Sequence, residues 1–193
     1  MWRVAVDGSA AEPLVPLAPT LSGTFACAFS PDGQQLLYSR IVDGFNQLFV
    51  LGVTARRDRA LTVSPSHKYE GQWSPDGRWI AFSANTGETV HVWRIPSAGG
   101  REEQLTNGAE RYLHMFYSRD GRWLYVQPSH RNIFRMPANG GPPRPVTRFP
   151  ESGLFLEEPT IAPDGRYLAY LRESGGSSLW MLTFTTAASA AGP

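Results

Sequence analysis

Thiol is nearly missing from this chain: Cys27 is its single cysteine. That excludes an intrachain disulfide and a zinc knuckle, which needs several thiolates or imidazoles at close spacing. Flanked by Phe25-Ala26 and Ala28-Phe29, Cys27 reads as a small apolar core residue rather than a nucleophile. An excess of one charge is missing too. Eighteen Lys and Arg stand against 17 Asp and Glu, a formal net charge of +1, so no broad basic field points to nucleic acid. The densest basic stretch, Arg56-Arg57-Asp58-Arg59, reads as a solvated hairpin tip. No apolar run approaches the roughly 18 residues of a membrane-spanning helix. The N-terminus, Met1 to Asp7, has neither the basic nor the apolar region of a signal peptide. The compartment therefore stays open, with the periplasm or another extracytoplasmic space preferred.

Catalytic signatures are also absent. There is no Gly-x-Ser-x-Gly nucleophile elbow. The four histidines, His67, His91, His114 and His130, show no HExxH or paired spacing. No enzyme and no cofactor is expected. Helical periodicity is nearly absent as well: apolar residues alternate or form short runs between turns.

Turns are what the chain has in quantity, with 19 Gly and 16 Pro. Four of them recur at a fixed step. Ser30-Pro31-Asp32-Gly33, Ser74-Pro75-Asp76-Gly77, Ser118-Arg119-Asp120-Gly121 and Ala162-Pro163-Asp164-Gly165 place their aspartates 44 residues apart each time. A repeat of about 40–45 residues is the signature of a propeller array. Proline suits the first inner position of such a turn, and glycine is free to take positive φ. Arg119 in the proline position is expected to loosen the third turn slightly. Because Asp32, Asp76, Asp120 and Asp164 recur with Gly33, Gly77, Gly121 and Gly165 in every repeat, they are structural turn residues rather than catalytic ones.

The rest of the repeat follows in phase. The pre-turn column Phe29, Trp73, Tyr117, Ile161 is large and apolar; the post-turn columns Leu36, Ile80, Leu124, Leu168 and Tyr38, Phe82, Val126, Tyr170 are aliphatic or aromatic. Phe49, Trp93, Phe134 and Trp180, with Trp2, are assigned to packing between blades. Four-stranded sheets with two apolar faces cannot stand alone, so neighbouring sheets must enclose them. The fold class predicted is all-β: a β-propeller of four-stranded antiparallel blades, about four in this chain, the first and last incomplete. Residues 1–20 form a partial blade containing a third and fourth strand, the latter over 13–18. Residues 21–63, 66–107 and 110–148 are full blades, 154–184 an incomplete one, and 185–193 a flexible tail. Two strands, then twelve, then three make seventeen. Residues 13–18 could pair with the last blade and close a small ring; alternatively the chain is the C-terminal part of a longer protein.

The run of aromatic-Ser-Pro-Asp-Gly-Arg/Gln, then a Trp or Phe strand, Gly-Gly and Leu-Thr resembles the TolB-type, WD-like propeller repeat over roughly 2–184. That resemblance implies a bacterial family. It is shared with the propellers of prolyl-oligopeptidase-type peptidases and the sensor halves of bacterial regulators.

Register supplies the candidate site. The first strand of each propeller blade lines the central channel. Six residues before the turn aspartates stand Ala26, Glu70, His114 and Glu158, which rings the channel with two carboxylates and an imidazole. Eight before stand Thr24, Lys68, Tyr112 and Leu156; nine before stand Gly23, His67, Arg111 and Phe155. These put polar and aromatic groups on one rim, where binding concentrates on a rigid scaffold. The ligand-binding set is thus Glu70, His114, Glu158, Lys68, Tyr112, His67 and Arg111. No metal is assigned, because ligands on three blades must converge to about 2–2.6 Å of an ion. The function expected is a non-catalytic scaffold binding a protein or peptide. The alternatives are a sensory propeller of a transcription regulator or receptor kinase, and the propeller of a peptidase whose catalytic domain is absent here. Self-association through unfinished blade edges is a further expectation.

Overall fold

The computed structural model describes residues 2–4, 6–14, 25–128, 132–149, 155–162, 164–173 and 177–183. The side chains at 2–3, 13, 25–27, 155, 157–158, 172–173 and 177–183 are outside that description. So are His130, Pro163, the tail at 185–193 and most of the strand read at 13–18. Among the described residues there are seventeen strands and no helix.

A short hairpin pairs β1 (Trp2–Val4) with β2 (Ala11–Pro13). Next come β3 (Phe25–Phe29), β4 (Gln35–Val42), β5 (Phe45–Gly52) and β6 (Arg57–Ala60), an antiparallel sheet in chain order. The second sheet is β7 (Lys68–Trp73), β8 (Trp79–Thr86), β9 (Thr89–Pro96) and β10 (Glu103–Gln104). The third is β11 (Tyr112–Tyr117), β12 (Trp123–Pro128), β13 (Phe134–Pro137) and β14 (Arg144–Pro145). The last has three strands, β15 (Phe155–Ile161), β16 (Tyr167–Glu173) and β17 (Ser177–Thr183). First strands meet in series: β3 against β7, β7 against β11, β11 against β15. Among the described residues β2 pairs with β1 and β17 with β16, and no pairing joins the two ends.

The recurring turn is locked by a small polar cage. In the second sheet Ser74 Oγ donates to Asp76 Oδ1 (2.5 Å) and accepts from Trp79 N (2.9 Å). Arg78 donates from its backbone N to Oδ1 (3.1 Å) and from Nε to Oδ2 (2.7 Å). Gly77, at φ +70°, donates to Ser74 O (2.9 Å). Ser118, Asp120, Arg122 and Trp123 repeat every one of these bonds. The turn at Arg119 is therefore not loosened: Gly121 N reaches Ser118 O at the same 2.9 Å. The cage, not the proline, sets the geometry.

Period-2 alternation then sends each strand's side chains into two different cores. Leu37, Leu48 and Val50 pack with Trp73, Ile80 and Phe82 of the second sheet. Ala81 and Val92, from the opposite face of that sheet, pack with Tyr112, Met115 and Leu124 of the third. Tyr125 and Ile133 pack with Leu156, Leu168 and Tyr170 of the last. Each enclosed side chain of this size contributes about 1.5–3 kcal/mol. The pre-turn column leans back onto the preceding sheet, as Trp73 Nε1 shows by donating to Ala28 O (3.0 Å). Phe29, in the first sheet, stays 52% exposed. Leu14 packs elsewhere on that sheet, with Leu36, Tyr38 and Phe49.

Fourth strands are short, from two to four residues. The Leu-Thr pairs lie beyond β6 and β10, and a hydroxyl takes the place of a ladder bond. Leu48 N, Val92 N and Ile133 N each donate to Thr62, Thr106 and Thr147 Oγ1 at 2.9 Å. The β4–β5 hairpin closes on Asp43-Gly44, both at positive φ, the tight two-residue turn that matches strand twist. The basic stretch is the exposed tip of the β5–β6 hairpin, as read, and it is tied down by side-chain bonds. Arg56 pairs with Glu12 of the first hairpin, Arg59 donates to Ser97 O, and Asp58 accepts from Tyr38 and Arg40.

Two expectations follow. The cage holds the Asp76 and Asp120 carboxyls down to about 2, chiefly through the serine hydroxyls and then the arginines. A depressed carboxyl stabilises the fold above its unfolded value of about 3.9 and loses that contribution as pH falls toward 2. Both side chains are over 40% exposed, so screening limits each to about 1 kcal/mol. Urea denaturation from pH 6 to pH 2 is expected to show this loss, and the double variant Asp76→Asn, Asp120→Asn a shallower acid slope. Gly71 is the second case: a Cβ there meets Leu37 Cδ2 at 2.4 Å. Gly71→Ala is expected to destabilise by about 1–3 kcal/mol in the same assay, and Leu37→Ala in that background to relieve part of the added cost.

Candidate functional site

The first strand of each of the four sheets after the β1–β2 hairpin carries a register shift. The pairing sum changes by one between Tyr69 and Gly71 in β7 and between Tyr112 and His114 in β11. It also changes between Phe25 and Ala28 in β3 and between Glu157 and Thr160 in β15. An inserted residue bends the strand and turns following side chains to the other face. That decides which candidate residues meet. Glu70 and His114 converge, with His114 Nδ1 2.9 Å from Glu70 Oε1. Lys68 and Tyr112, on the N-terminal side of the shift, are buried instead.

Lys68 is a clamp in this structure. Its ammonium donates to Ser64 Oγ (2.7 Å) and Ser66 Oγ (2.5 Å), and lies 3.6 Å from Glu102. Ser64 Oγ in turn donates to Glu102 Oε1 (2.9 Å). Burial lowers the lysine's pKa, and the Glu102 charge opposes that shift. Tyr112 packs among Ala81, Val92 and Met115, and burial with the nearby Glu110 raises its phenol. His67 accepts from Asn46 N at Nδ1 (3.3 Å) and lies between the rings of Phe45 and Tyr69. Arg111 is exposed. The Glu158 side chain is outside the described residues.

Glu70 is held in a backbone conformation that glutamate avoids. Its φ is +33°, whereas Leu113, the inserted residue of β11, is not at positive φ. The repeat therefore does not require this conformation. Such outliers cost on the order of 1–3 kcal/mol and concentrate at functional sites. The strained residue overhangs a cavity of about 390 Å³ walled by Leu37, Leu48, Tyr69 and Leu113, with Glu70 and His114 at its polar edge. Mostly apolar walls with few convergent polar groups are the usual make-up of a ligand pocket. The leucine walls were not legible as site residues, since sequence marks them only as core. Among the described residues no group of three His, Cys, Asp or Glu is placed to hold a metal ion.

A family model for the TolB β-propeller domain matches residues 17–191. An uncharacterized protein of Agrobacterium fabrum is 29% identical over 146 residues, covering 74% of this chain and 48% of that protein. Dipeptidyl-peptidase 5 of Porphyromonas gingivalis is 30% identical over 118 residues, 56% of this chain and 16% of that one. The chain thus spans about half or less of these relatives' length. Among solved structures, a TolB protein of Agrobacterium tumefaciens superposes with a TM-score of 0.75 at 21% identity, covering 94% of this chain and 69% of that one. At that identity the likeness speaks for the fold.

Strain at Glu70 is directly testable. Glu70→Gly removes the cost of positive φ and is expected to raise stability by about 1 kcal/mol in thermal or urea denaturation. Glu70→Ala keeps the strain and is expected to leave stability level or lower.

Proposed function

The chain belongs to the TolB β-propeller family, and from that premise we propose that it is a non-catalytic scaffold that binds a protein or peptide through the Glu70–His114 cavity. The observation that carries this reading is the strained Glu70, held beside His114 over an apolar hollow. An apolar side chain of a peptide fills the hollow, and a cationic or hydrogen-bond-donating neighbour meets the carboxylate. The imidazole, by occupying one oxygen of Glu70, fixes the other toward the ligand. The sheets on either side are packed through buried clusters, which supports a low ordering cost on the protein.

A second reading has one supporting observation, the similarity to dipeptidyl-peptidase 5. There the propeller would serve a hydrolase domain on the same polypeptide. The mass of the native polypeptide in its source cell separates the two: a species long enough to carry a hydrolase domain favours the peptidase reading.

The scaffold reading is tested with random dodecapeptides displayed on phage and selected on the purified chain. Enriched peptides are expected to bind Glu70→Gln and His114→Ala about tenfold or more weaker than the parent. Failure to enrich any sequence, or equal affinity for all three proteins, would sink the reading.

A further inference from the structure

A second hollow, of about 410 Å³, lies at the turn end of the molecule between the second and third sheets. It shares no lining residue with the Glu70 cavity. Three guanidiniums border it, from Arg78, Arg94 and Arg122, against the two turn aspartates. Its wall includes the ring of Tyr117, which is only 8% exposed and whose hydroxyl has no hydrogen-bond partner among the described residues. Leaving such a donor unmade inside a protein is unfavourable. Burial pushes this phenol well above its usual range, so it carries its proton at every physiological pH.

The three arginines differ in what they are free to do. Arg94 is fixed: Nε and Nη2 each lie 2.7 Å from Glu103 Oε2, Nη1 donates to Ala138 O (3.2 Å), and its guanidinium lies over Trp79. Arg78 and Arg122 stand at the rim with side chains about four-fifths exposed, each bonded to the aspartate of its own turn. Those bonds are dispensable to the turn, as the first sheet demonstrates. There Gln34 replaces the arginine, yet Asp32 keeps the bonds from Ser30 Oγ (2.5 Å) and Gln34 N (3.0 Å). Two adjustable guanidiniums therefore flank a fixed one, above a phenol with a proton to give.

We propose that this hollow is an anion site, taking the carboxylate or phosphate head of a small molecule between Arg78 and Arg122, with the Tyr117 hydroxyl as a further donor. Planar guanidiniums suit both heads because they donate two parallel bonds. The aspartates keep their serine and backbone bonds when the arginines turn to the ligand. Trp79 and the stem of Arg94 leave an apolar wall for the remainder of the molecule.

Calorimetric titration of the purified chain with inorganic phosphate and, separately, with succinate tests this at low ionic strength. Saturable binding is expected for one or both, and which one saturates identifies the head group. The double variant Arg78→Gln, Arg122→Gln, which copies the glutamine of the first turn, is expected to bind at least tenfold more weakly while its thermal midpoint stays within a few degrees. Tyr117→Phe is expected to weaken binding several-fold while folding as well as the parent or better, because it deletes an unpaired hydroxyl. No saturation with either anion, or parental affinity in the double arginine variant, overturns the proposal. Loss of the Glu70 cavity's peptide binding would not bear on it, since the two hollows are separate.

Discussion

An aspartate that accepts the backbone amide two residues on, with a serine hydroxyl, an arginine or both added, closes the turn after each of β3, β7, β11 and β15 and is the constraint on which this molecule depends. The cage fixes how β3, β7, β11 and β15 pass into the strands that follow them. It thereby sets the phase of every column further along the repeat. Once the phase is set, alternation delivers one set of side chains forward and the other back, and the second and third sheets are each buried between two neighbours. The buried clusters Leu37–Phe82, Val92–Met115 and Ile133–Tyr170 are three instances of one interface. Each repeat contributes little stability alone, because both of its faces are apolar; stacking is what makes the sheet a folded unit.

Inter-sheet polar bonds refine that stacking. Ser83 Oγ donates to Tyr112 O (2.9 Å) and Gln127 Nε2 to Leu156 O (2.6 Å), 44 residues apart in both donor and acceptor. Two chemically different side chains thus do the same job, tying a second strand to the start of the next first strand. Lys68 makes a comparable tie with less conventional material. Its desolvated ammonium, satisfied by two serines and Glu102, pins the 64–66 segment against the second sheet. Removing Glu102 would leave the buried lysine without its counter-charge, a more costly state than never having had the pair.

Both hollows arise where the repeat departs from itself. Glu70 takes positive φ where the other inserted residue with a described side chain, Leu113, does not. Gly71 admits Leu37 at a distance no Cβ would allow. At the turn end, Tyr117 carries a hydroxyl where the other repeats have Phe29, Trp73 and Ile161. A repeat protein builds its scaffold from what recurs and its specificity from what does not, and these departures are local enough to leave the sheets intact.

Much was legible in the sequence because it is written in period. The 44-residue step, the Ser-Pro-Asp-Gly turns and the alternating columns depend on local geometry, so they determined seventeen strands, their order and the family. The meeting of Glu70 with His114 was legible too, since both occupy the same place in successive repeats. What sequence spacing could not show was the inserted residue in each first strand. It breaks the period of two, sends Lys68 and Tyr112 into the core, and leaves Glu70 and His114 outside it. Nor could spacing show that Phe29 would stay exposed while Trp73 and Tyr117 were covered, because burial depends on which sheet lies behind. The repeat and its fold could be read from the chain alone, since both follow from bonds between residues a few positions apart. Which polar groups share a hollow could not, because that depends on how separate strands shift and stack in space.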